Sequence, residues 1–72
     1  MNGNKNNRPI YKLKGLRAEH GYTQEQIADK LCISKATYAR KENGICQFGA
    51  DEISKLIDIF NVNYEYIFYP QS

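Results

Sequence analysis

The chain has 72 residues, 42% of them hydrophobic and 25% charged, which leaves room for one small core, so neither a disordered chain nor a second catalytic or sensory domain is expected. No apolar run nears the roughly 18 residues of a membrane helix, and residues 1–9 hold no signal-peptide core, so a soluble, cytoplasmic protein is expected. The net charge of +2 is uneven, with five bases against one acid in residues 1–20 and one base against four acids in residues 50–72; that suits a polyanion docked on one side, and equally an ordinary solvated surface.

Residues 1–9 are mostly Asn, Gly and Lys, closed by Arg8-Pro9, and read as a flexible polar arm. The domain is expected over residues 10–69, with 70–72 as a tail. Ile10, Leu13 and Leu16 recur at three-residue spacing with Lys12, Lys14 and Arg17 between them, a first helix that Gly21 stops. Gly15 inside it costs about 1 kcal/mol relative to alanine, so this helix needs tertiary contacts. Thr23 and Gln26 form a Thr-x-x-Gln capping box before Ile27, Ala28 and Leu31, which sets the start of a second helix. It is short, because Ser34 caps a third helix over Lys35 to Asn43, closed by Gly44. Ala50, Ile53, Leu56, Ile57 and Phe60 outline a fourth helix. Asn63 caps a last turn through Phe68, and Pro70 ends regular structure. The expected fold is all-α, with five short helices.

Cys32, Cys46 and His20 do not have metal-ligand spacing, so no metal site is expected. Both thiols are expected to be free and to serve in packing, and His20 to sit at a helix C-terminus in a favourable dipole contact. No convergent acid, base or nucleophile set is visible, so the chain reads as no enzyme. Neither a cofactor nor a small-molecule ligand is expected.

Two short helices joined by three residues form a helix-turn-helix pattern. Ala28 is small where the helices cross, and Ile27, Leu31, Ile33 and Tyr38 point inward to hold the crossing. Lys35, Ala36, Arg40 and Asn43 then fall on or near one solvent face of the third helix, and a major groove accepts such a face.

The strings Leu16-Arg17, Gly21-Tyr22-Thr23-Gln24-Glu25-Gln26-Ile27-Ala28, Ile33-Ser34-Lys35-Ala36-Thr37-Tyr38 and Arg40-Lys41-Glu42-Asn43-Gly44 are those on which a resemblance rests. The sequence resembles the Cro and lambda-repressor-like helix-turn-helix family of bacterial and phage regulators, the xenobiotic-response-element family, over about Ile10 to Phe68. That resemblance implies sequence-specific binding to a double-stranded DNA operator, with Gln24 on a phosphate and steadying the recognition helix, Lys35, Ala36 and Arg40 toward base edges, and Thr37 and Asn43 near the DNA backbone. Ser34 at the cap belongs to the same candidate set, and Lys41 is read as reaching a phosphate. Arg17 and Glu42 match a structural ion pair. Two positions depart from the family: Cys32 stands where glycine is usual because the backbone turns left-handed, and Lys41 where an apolar residue is usual.

The aromatic cluster around Tyr64, Tyr66, Ile67, Phe68 and Tyr69 exceeds what a core of this size hides. Ile59, Tyr64, Tyr66 and Tyr69 are therefore the candidate homodimer interface. The alternative is a protein-interaction module, such as an antitoxin or antirepressor, that docks a partner through this cluster.

Overall fold

Caps and apolar spacing start five helices in the computed structural model, which describes residues 8–68. They are α1 (Tyr11–Glu19), α2 (Gln24–Leu31), α3 (Lys35–Glu42), α4 (Ala50–Phe60) and α5 (Tyr64–Phe68), and no strand occurs among the described residues. Most of the arm, Tyr69 and the tail lie outside them.

The start of α2 is the predicted capping box: Gln26 N–H donates to Thr23 Oγ1 (3.1 Å), and Thr23 N–H donates to Gln26 Oε1 (2.8 Å). Ser34 Oγ accepts the Thr37 N–H at 3.1 Å and so starts α3. In α4 the Gly49 N–H donates to Glu52 Oε1 at 2.8 Å. At the last turn Asn63 Oδ1 accepts the Tyr66 N–H at 3.3 Å. No side chain caps α1; instead Ile10 N–H donates to the Glu42 carbonyl at the end of α3, 2.9 Å away. The helix containing Gly15 is thus held by a tertiary bond and by burial of Leu13 and Leu16.

The ends of α1 to α4 share one geometry. Gly21, Cys32, Gly44 and Asn61 all have positive φ. The following N–H, from Tyr22, Ile33, Ile45 or Val62, returns to the carbonyl of Arg17, Ala28, Arg40 or Ile57 at 2.9–3.2 Å. Each return satisfies a carbonyl that the helix end would otherwise leave bare, and sets the exit direction of the chain.

The core is Leu13, Leu16, Ile27, Ala28, Leu31, Tyr38, Leu56, Phe60 and Ile67. Around it α2 packs on α3 and α4, and α1 on α5. Ala28 is buried between its neighbours, as its small size at the crossing requires. Arg8 and Pro9, grouped with the arm in the sequence reading, are placed against the domain: the Arg8 backbone lies so close to Gly44 that a Cβ there would strike the Arg8 carbonyl oxygen. No described helix is long and apolar enough to cross a membrane.

Candidate nucleic-acid interface

The 3.6-residue period of α3 divides its side chains between two environments. Tyr38 and Glu42, one turn apart, are buried. Lys35, Ala36 and Arg40 are exposed, with Ala36 and Arg40 again one turn apart. Thr37 and Asn43 are half-buried at the edges of that face, and Ser34 is exposed at its start. The two hydroxyls at the cap are partly committed to each other, since Ser34 Oγ lies 2.9 Å from Thr37 Oγ1.

A carboxylate holds the hidden side of α3 in place. Glu42 Oε2 accepts from Arg17 Nε at 2.9 Å and Tyr38 Oη at 2.7 Å, while Oε1 accepts from Arg17 Nη2 at 3.2 Å and Gln24 Nε2 at 2.9 Å. Donors from α1, α2 and α3 therefore meet on one fully buried side chain. Burial alone would raise the Glu42 carboxyl, but the hydrogen bonds from Arg17, Gln24 and Tyr38 outweigh it and hold the group below the usual carboxylate range. The same burial, together with the bond to a carboxylate, pushes the Tyr38 phenol upward. The Glu42 hydrogen bond raises Arg17 against some opposing burial. Arg17 also donates from Nη1 to the Tyr22 carbonyl at 3.2 Å.

Gln24 thus has a partner inside the chain. One of its two amide hydrogens goes to Glu42, which leaves the other for an acceptor outside. It opens onto a cleft of about 460 Å³ lined by Arg17, Tyr22, Thr23, Gln24, Glu25 and Lys35, where the start of α2 faces the start of α3.

Lys41 is placed elsewhere than the sequence reading had it. Its Nζ lies 2.7 Å from Glu52 Oε1 and 5.9 Å from the centroid of the Phe48 ring. A lysine fills a position where an apolar residue is usual, with its ammonium over an aromatic ring and its charge met by α4, so Lys41 fastens α3 to α4. Burial opposes ionisation of Glu52, but Lys41 and the Gly49 N–H hold its carboxyl below the ordinary range.

The cysteines also differ from expectation. Cys32 and Cys46 are free, as expected, but both are exposed and neither packs the core. Cys32 adopts the left-handed conformation, φ 62°, that the family fills with glycine, so the turn is retained with a side chain in it. His20 ends α1, with its ring edge-on to Phe60 at 5.1 Å and parallel to Tyr22 at 6.4 Å, so aromatic packing occupies it.

Of the four candidate interface residues, Tyr64 and Tyr66 are 48% and 45% exposed. Tyr64 stacks on Phe68 at 5.1 Å, and Lys12 Nζ sits 4.6 Å above the Tyr66 ring. Ile59 is half-buried and packs against the core. Tyr69 lies outside the described residues. Tyr64 also borders a groove of about 300 Å³ with Ile10, Phe48, Ile53 and Phe68.

The two packed helices, their left-handed turn and the bare face of the second define a helix-turn-helix DNA-binding domain. A family model described as Helix-turn-helix matches residues 13–67, and the chain belongs to that family, of the Cro/C1 type. It is a DNA-binding regulatory domain whose partner is double-stranded DNA. No curated protein matches the chain.

Proposed function

We propose that this protein is a repressor of bacterial or prophage type that inserts α3 into the major groove of a specific operator. Lys35 and Arg40 would donate to guanine, and Ala36 would offer a methyl contact. Gln24, Ser34, Thr37 and Asn43 would set the docking against phosphates, which position the helix without reading sequence. The observation that carries this reading is the division of α3: Lys35, Ala36 and Arg40 bare on one side, Tyr38 and Glu42 locked beneath on the other.

Two copies, joined through a surface that includes Tyr64 and Tyr66, would present two such helices about 34 Å apart, one turn of the duplex. Linking two modest sites in this way raises specificity without new base contacts. The proposal places the protein in the cytoplasm, and involves no catalysis, cofactor, metal or small-molecule ligand.

The test is selection of bound sequences from a random duplex pool at stated salt. Enrichment of a symmetric motif supports base reading and the dimer together. Retention of all sequences alike, or of none, overturns sequence-specific repression.

A second reading is favoured by the exposed Tyr64 and Tyr66 and by the groove that Tyr64 borders. On it the chain is an antitoxin or antirepressor that holds a protein partner there. Co-purification of one stoichiometric partner, with no salt-sensitive retention on DNA, would support that reading over the first.

A further inference from the structure

Residues 8–10 are laid along the C-terminal end of α3. A Cβ on Gly44 would collide with the Arg8 carbonyl oxygen and stand 2.9 Å from the Arg8 nitrogen, so glycine is what allows this backbone to approach. Two residues later the Ile10 N–H donates to the Glu42 carbonyl at 2.9 Å. The Arg8 side chain takes no part in this clamp. It is exposed, and the two ion pairs among the described residues, Arg17–Glu42 and Lys41–Glu52, do not use it.

The other end of α3 faces the cleft lined by Gln24, Glu25 and Lys35, where Arg17 is already held by Glu42. With eight residues, α3 is about 12 Å long. A major groove is also about 12 Å wide, with a phosphate wall on each side. A helix seated in the groove lies between those walls, so cations flanking its two ends are within reach of backbone phosphates.

We infer that Arg8 is a contact to a DNA backbone phosphate at the C-terminal end of α3, while the cleft at the N-terminal end serves another. This rests on the reading of α3 as the groove helix. A guanidinium fork suits a phosphate, which it can bind through two N–H groups at once. The clamp has already ordered the Arg8 backbone, so docking immobilises only the side chain. A phosphate contact carries no sequence information, so it acts on every duplex alike.

The full chain and its Arg8→Gln and Arg8→Lys variants are compared on a selected duplex and on a random one, plotting the logarithm of affinity against that of salt concentration. Arg8→Gln flattens the slope by about 0.9 on both duplexes, the value for one phosphate neutralised. Arg8→Lys keeps the wild-type slope, because the charge is retained. Thermal midpoints stay level across the three, since the clamp is made by backbone atoms. A wild-type slope for Arg8→Gln overturns the inference, as does a loss confined to the selected duplex, which would mark base reading. If the wild-type chain retains no duplex at any salt, it is the reading of α3 that falls, and Arg8 with it.

Discussion

Arg40 is exposed and Glu42 is fully buried although only one residue separates them, because 100° per residue carries α3 from its bare face to its packed face within two steps. The two residues therefore report different quantities when changed. Arg40→Ala removes a donor fork from the open face and leaves the packing untouched. It should cost about 1–3 kcal/mol of binding on a selected operator and little on random duplex. Titrating both duplexes at one salt concentration checks this, and equal losses would mean that Arg40 meets only phosphates. Glu42→Gln acts on the fold. The glutamine oxygen still accepts, but its NH₂ group faces donors from Arg17 and Tyr38 or Gln24 that it cannot satisfy. Arg17, with 19% of its side chain exposed, is left with little water in place of its counter-ion. A loss of about 3 kcal/mol is expected, at the lower end for breaking a buried pair. That is a large share of the roughly 5 kcal/mol that holds a small domain, and urea unfolding measures it directly.

At the scale of the helices, the repeated left-handed ending shows what a sequence displays and what it hides. Gly21 and Gly44 are visible stops, since glycine accepts positive φ without strain. Asn61 adopts the same conformation at φ 56° and is among the few other residues that tolerate it, while Cys32 at φ 62° carries no such signal in its chemistry. Its conformation is imposed by the Ile33 N–H reaching back to Ala28, and it became legible only through the glycine the family places there. The helices, the capping box of α2 and the bare face of α3 could be read because they depend on neighbours three or four positions away. The pairing of Lys41 with Glu52 could not, and the hold of Gln24 on Glu42 was legible only through the family resemblance. They depend on the angles at which α2 and α4 meet α3, and no local pattern encodes those. Cys32→Gly relieves about 1–2 kcal/mol of left-handed strain. It gives back about 0.5–1 kcal/mol through the freer unfolded chain, so a net gain of about 0.5 kcal/mol is expected from denaturant midpoints. Gly15→Ala is the simpler case. A Cβ there would meet nothing within 4 Å, so the alanine should add about 0.5–1 kcal/mol through helix propensity alone. In a domain of this size that is a rise of several degrees in Tm, at about 4–8 °C per kcal/mol.

For the molecule as a whole, the Glu42 junction ties three helices to the charge state of one carboxylate and one phenol, so stability must depend on pH at both ends of the scale. The folded carboxyl of Glu42 lies below its ordinary value, because the hydrogen bonds from Arg17, Gln24 and Tyr38 outweigh the penalty of burial. The folded state therefore holds its proton less readily than the unfolded state does. That stabilisation is complete above the unfolded carboxylate value of about 4.3, and is lost as the pH falls through the folded value. Glu52, paired with Lys41, acts in the same direction. Tyr38 acts at the other end. Burial and its bond to Glu42 raise the phenol, so its contribution is complete below about pH 10 and is lost as the pH climbs toward the folded value. Arg17 is raised from an already high value and titrates outside the working range. Urea midpoints measured from pH 3 to pH 11 should show a plateau near neutrality with a falling limb on each side. Glu42→Gln lowers the plateau and also flattens the acid limb, because the titrating group is gone. Tyr38→Phe flattens the alkaline limb in the same way. An acid limb as steep in Glu42→Gln as in the wild type would place the titrating carboxylate elsewhere, and would remove Glu42 as the charge on which α1, α2 and α3 converge.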